Sequence, residues 1–114
     1  RIVALSVLEV PLDTDLDADL AGLEEAANRE LDEAVEIGNS YGVRVHDRLV
    51  RARSAGQAIV QEAEQRGSEI IVIGSPRKAL TRSQRAVFGR TVDHVLRHAP
   101  CRVMVAAAPE KGAA

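Results

Sequence analysis

The apolar positions of this chain fall into runs and stripes that predict seven elements. Residues Ile2 to Val10 are apolar almost throughout, which predicts a buried strand closed by Pro11. Leu20, Leu23, Ala27, Leu31, Ala34 and Val35 recur at helical spacing with charged residues between them. They predict an amphipathic helix that stops near Tyr41 and Gly42. Val43, Val45, Asp47 and Leu49 then alternate with Arg44, His46 and Arg48, the period of a half-exposed strand near a sheet edge. Ser54 is placed to cap a helix from about Gly56 to Arg66, with Gly67 just beyond its end. Ile70 to Ile73 is a short continuous apolar run ending at Gly74, which predicts a fully buried strand. The segment from Ser75 to Arg85 is polar and basic. A last helix, from about Gly89 to His98, carries Val92, Val95, Leu96 and Ala99 on one face and is stopped by Pro100. Arg102 to Ala107 is the final strand, and residues 109–114 are expected to form a flexible tail.

Strands alternating with helices predict right-handed crossovers and a parallel sheet covered by helices on both faces. Ligands of such sheets bind beyond the carboxyl ends of the strands, which places the candidate site at Gly74 and the loop after it. Composition supports this class. With 46% apolar and 2% aromatic residues, the core must be built from Val, Ile, Leu and Ala, as buried parallel strands prefer. So few rings also leave little to stack against nucleobases, and a net charge of −2 gives no pull toward nucleic acid. A single cysteine, Cys101, excludes an internal disulfide and fits a reducing, cytoplasmic compartment. An apolar run directly after Arg1 leads to the expectation of a domain taken from a longer chain.

The chemistry-bearing residues cluster around one strand end. Gly74 and Gly89 let a backbone approach a phosphate, and a helix opening at Gly89 would add free amides and the positive end of its dipole. Arg77, Lys78 and Arg90 can pair with phosphate oxygens, and Thr91 adds a hydroxyl. A basic solvated loop and a glycine turn are the plainer reading of the same residues. In the acidic linker from Asp13 to Asp19, Asp15, Asp17 and Asp19 alternate with Leu16 and Ala18 as in a Ca²⁺ loop, but the required glycine and closing Glu are missing, so a solvated loop with a helix start is preferred. Cys101 is expected to be a packed structural thiol. His98 is expected to favour the negative end of the last helix, and His46 and His94 to face solvent. No catalytic residues and no metal ligands are predicted.

Ile70 to Ser75, Phe88 to Val92, and Val95 to Val105 resemble the C-terminal half of universal stress protein (UspA-like) domains. The segments Ser54 to Ile59 and Ser6 to Val10 match less specific parts of the pattern. The resemblance implies a parallel-sheet three-layer α/β sandwich of the universal stress protein and adenine nucleotide α-hydrolase-like type over residues 1–108. It implies a nucleotide motif G-x2-G-x9-G-[ST] that holds ATP phosphates. Gly74 matches its first glycine and Gly89 its last. Arg77 replaces the second glycine, the interval is two residues too long, and Arg90 rather than Ser or Thr follows Gly89, with Thr91 one place late. The implied site is Gly74, Ser75, Arg77, Gly89, Arg90 and Thr91, with a degraded motif for ATP or another adenine nucleotide and no metal beyond nucleotide-associated Mg²⁺.

In this alignment the family's first strand and helix precede Ile2, and that strand is central in the sheet. Its lack leaves two strands with unpaired edges unless the parent protein supplies the unit, the neighbours close up, or a second chain fills the gap; the first is expected. The resemblance further implies a homodimer through the edge strand Val103 to Ala107. The early Leu8 to Pro11, Arg51 to Gly56 and Phe88 to Val92 also resemble stress-protein domains appended to amino-acid permeases. The expected function is a non-enzymatic, nucleotide-sensing regulatory domain at the cytoplasmic face of a membrane transporter. The alternatives are a stand-alone ATP-binding stress protein with weak ATPase activity and an enzyme acting on a phosphorylated small molecule.

Overall fold

In a computed structural model of the chain, the described residues are 2–75 and 82–107, with side chains described for 2–74 and 89–106. The elements run β1 (Ile2–Glu9), α1 (Ala21–Ser40), β2 (Val45–Ala52), α2 (Ala55–Arg66), β3 (Ile70–Ser75), α3 (Arg82–His98) and β4 (Arg102–Ala107). The hydrophobic pattern predicts this order, and both strand pairs are parallel. The chain is therefore α/β with parallel sheets. It divides into two compact units, residues 1–58 and 59–114. The expected tail at 109–114 lies outside the described residues.

In the first unit, β1 and β2 pair from Ile2 opposite Val45 to Glu9 opposite Ala52. The Val10 N–H donates to the Ala52 carbonyl at 2.8 Å, so the ladder continues one residue beyond β1, and Val10 is almost fully buried. Helix α1 lies against both strands and buries Ala27 and Leu31 from its apolar stripe. Gly42 ends it at a φ of 70°, a conformation that favours glycine. Two differences from the expected pattern stand out. β2 begins at Val45 rather than Val43, and its alternation is blurred because His46, Asp47 and Arg48 are all exposed. β1 is half-buried along most of its length rather than fully buried.

Helix α2 opens as expected. The Ser54 hydroxyl accepts from the Gln57 N–H at 3.3 Å, and the Glu9 carboxylate accepts from the Ala55 N–H at 3.0 Å. Two acceptors thus satisfy donors that a helix start leaves unpaired. Gly67, at a φ of 61°, closes the helix, and the Ser68 N–H returns to the Ala63 carbonyl at 3.0 Å.

In the second unit, β3 and β4 pair from Ile70 opposite Arg102 to Ser75 opposite Ala107. The expectation that β3 is fully buried is not met: Ile70 is 46% and Val72 59% exposed. Side chains alternate between the two faces of a strand. Ile71 and Ile73 are half-covered, while Ile70 and Val72 share the open face with Met104, the register partner of Val72. Among the described residues β3 has a hydrogen-bonded neighbour on one side only. The sequence signal, a run of β-branched residues, reports a strand built for cover on both faces; only one face has it here.

Helix α3 starts at Arg82, seven residues before the expected start at Gly89. Residues 82–88 lack proline, and a lone exposed glycine does not end a helix; it lowers its stability by about 1 kcal/mol relative to alanine. Val95, from the predicted apolar face, is fully buried.

Candidate functional site at the strand ends

Gly74 and Ser75 are the last residues of β3, at the carboxyl end where parallel sheets bind ligands. Gly74 is exposed, and a Cβ built on it meets no atom within 4 Å. The backbone there is open to an approaching group. Arg77 lies outside the described residues.

Gly89 is the eighth residue of α3, so it does not open the helix. Its amide belongs to the helical ladder, and the free donors of α3 lie in the turn beginning at Arg82. What Gly89 offers is a bare helical surface: it is exposed, and a Cβ built on it also meets nothing within 4 Å. Arg90 is exposed beside it and Thr91 is half-buried. The six residues named from the sequence therefore divide into a strand end, Gly74 and Ser75, and one stretch of helix, Gly89 to Thr91, with Arg77 in the intervening segment.

The carboxyl end of the β1–β2 pair holds a feature that sequence reasoning missed. Two arginines, Arg51 in β2 and Arg53 just after it, pin residues 10–18 as a strap. The Arg53 guanidinium donates to the carbonyls of Val10 at 3.4 Å, Thr14 at 2.6 Å and Pro11. Arg51 donates to the carbonyls of Leu16 at 3.0 Å and Ala18. It also donates through Nε to Glu24 of α1 at 3.1 Å and forms an ion pair with the same carboxylate. The strap supplies little order of its own, with turns only at Pro11–Thr14 and Asp15–Ala18. Guanidinium geometry suits this task, since its five donors spread in a plane can serve several acceptors at once. The signal was present as an Arg-x-Arg pair at a strand end, but carbonyl partners leave no mark in a sequence.

Two acidic residues, one in the strap and one just after it, make local hydrogen bonds. Asp19 accepts from the Ala21 N–H at 3.1 Å, supporting the start of α1, and Asp13 accepts from the Thr14 hydroxyl at 3.3 Å. Cys101 is a free, half-buried thiol. Among the described residues no helix is long and apolar enough to cross a membrane.

Comparison with known proteins agrees with this architecture. Residues 1–107 match the model of the universal stress protein family. Over 89 residues, 78% of this chain, it is 28% identical to a universal stress protein of Methanocaldococcus jannaschii, of which the aligned part is 51%. The chain thus spans about half the length of that curated relative. Parallel strand pairs, alternating helices and a family match over nearly every residue lead to one assignment: this chain belongs to the universal stress protein family.

Proposed function

We propose that the domain is a regulatory module that senses an adenine nucleotide such as ATP, forms a homodimer through β4, and serves as the cytoplasmic appendage of an amino-acid transporter. It carries no catalytic residues in this reading. The observation that supports it best is the bare backbone at Gly74, at the carboxyl end of a parallel strand, together with the equally bare Gly89 and exposed Arg90 on the following helix. Both glycines leave room for a phosphate where a side chain would stand. Ser75 and Thr91 would add polar contacts, and Arg77 and Arg90 would supply charge in place of the missing glycine amides. Arginine pairs with phosphate oxygens through two parallel hydrogen bonds, so the departures from the motif fit a sensor of altered specificity. Mg²⁺ would enter only with the nucleotide.

The dimer reading is supported by β4. Its residues Met104 and Val105 are 52% and 46% exposed, and among the described residues it pairs on one side only, with β3. A short apolar edge of this kind invites a second strand. Sedimentation velocity on the ligand-free protein tests this directly. A dimer that becomes a folded monomer on Met104→Asp is expected; a parent protein that is monomeric at all concentrations removes the dimer from the account. Membrane-spanning segments encoded in the same reading frame ahead of residue 1 are the expected result for the transporter link, and a different preceding domain removes it.

A further inference from the structure

We infer that His94 and His98 form a two-imidazole chelating site for a late first-row divalent metal ion, with Cu²⁺ the favoured guest. The two residues stand one turn apart on α3, and their rings meet with centroids 4.5 Å apart and planes tilted by 40°. Side chains four apart on a helix lie on the same face, one above the other. His94 is half-buried and His98 exposed, so the pair is open to a small ion.

The spacing favours a particular geometry. A metal–nitrogen bond of about 2 Å puts the ion roughly 3 Å from each ring centroid. Two centroids held 4.5 Å apart share an ion at a ligand angle near 90° when each ring turns a nitrogen toward it. A right angle matches two adjacent positions of a tetragonal or octahedral ion better than two corners of a tetrahedron. Cu²⁺ and Ni²⁺ adopt the former and Zn²⁺ the latter, and Cu²⁺ stands highest in the general affinity order.

The location helps as well. His98 is the last residue of α3, and the carbonyl end of a helix attracts positive charge. Asp93 precedes His94 in sequence and pairs at 3.0 Å with Arg97, one turn on along its own face of α3. Among the described residues no group of three or more His, Cys, Asp or Glu gathers to hold a metal. Water would fill the other positions, which implies modest affinity and easy exchange. The proposed nucleotide site does not use either histidine, so this inference stands apart from it.

Calorimetric titration of the full chain with Cu²⁺, Ni²⁺ or Zn²⁺ alone tests the site, with electron paramagnetic resonance of the Cu²⁺ form reading its ligands. One equivalent of Cu²⁺ should bind more tightly than Ni²⁺ or Zn²⁺ and show nitrogen coupling from two imidazoles. His94→Asn and His98→Asn should each weaken binding at least about tenfold, because a chelate becomes a single ligand. His46→Asn, on β2, and Cys101→Ser should leave it unchanged. Circular dichroism of each variant separates loss of ligand from loss of fold. Cu²⁺ binding that survives both histidine substitutions overturns the proposal, as does a spectrum with fewer than two nitrogen ligands or a preference for Zn²⁺ over Cu²⁺.

Discussion

Gly38, near the end of α1, lies directly against Val45, the first residue of β2. A Cβ built on Gly38 would come 2.8 Å from the Val43 carbonyl oxygen and closer still to a methyl of Val45. The Gly38 carbonyl also accepts from the Tyr41 N–H at 3.0 Å and the Val43 N–H at 2.8 Å. The turn from helix to strand is therefore built around a position with no room for a side chain. Backbone is one of the obstacles, so side-chain rotation alone cannot relieve the clash.

Gly38→Ala should accordingly destabilise the fold. Alanine gains up to about 1 kcal/mol in helix propensity. Overpacking a tight site costs typically 1–3 kcal/mol, and the backbone obstacle puts this site in the upper part of that range. Chemical denaturation should show a net loss of about 1–2 kcal/mol. An unchanged or higher stability would mean that α1 and β2 separate easily at this point.

Gly67 makes a contrasting case. A Cβ there meets no atom, but its φ of 61° is costly for most side chains. Gly67→Ala should lose about 1 kcal/mol, and Gly67→Asn should lose less, since asparagine tolerates this conformation. Equal stability of the two variants would contradict the assignment of the loss to backbone conformation.

The strap over residues 10–18 depends on Arg51 and Arg53. The Arg51–Glu24 pair is partly exposed, so its ionic part is worth at most about 1 kcal/mol. The larger effect should be local, since water can reach the Pro11 and Thr14 carbonyls but cannot tie them together as the guanidinium does. Arg53→Ala should open the strap to protease within residues 11–14 and speed amide exchange at Thr14, with global stability lowered by no more than about 1 kcal/mol. Arg53→Lys should rescue only part of this, because an ammonium cannot span the Val10, Pro11 and Thr14 carbonyls as the planar fork does. Full rescue by lysine would show that charge alone holds the strap.

The fold was legible where a signal is local and repeated. The apolar runs at Ile2 and Ile70, the cap at Ser54 and the glycine at Gly67 each leave a direct mark, and the structure has each element there. Two misreadings have clear physical causes. Gly89 was expected to open α3, but a single glycine does not outweigh a proline-free stretch such as residues 82–88. β3 was expected to be fully buried, but composition records which neighbours a strand suits and not which are present; Ile70 and Val72 remain open. The Arg53 contacts were invisible for another reason, since main-chain acceptors are the same at every residue. Most of the site residues were legible from residue type, as two glycines with basic and hydroxyl side chains after a strand end; the family motif added Ser75, and Gly74 and Gly89 match it where Arg77 breaks it.

Nucleotide sensing at Gly74 and Gly89 is the central claim, and Gly89→Leu gives it a clean test. Gly89 is exposed within α3 with no atom within 4 Å of its Cβ position, so leucine should fit and raise helix propensity by about 1 kcal/mol. Loss of binding in this variant could not be assigned to unfolding. Calorimetric titration of the parent protein with Mg²⁺ and ATP should show saturable binding in the millimolar range or tighter, and Gly89→Leu should abolish it. No heat of binding from the parent, or equal affinity in the two proteins, would contradict the account.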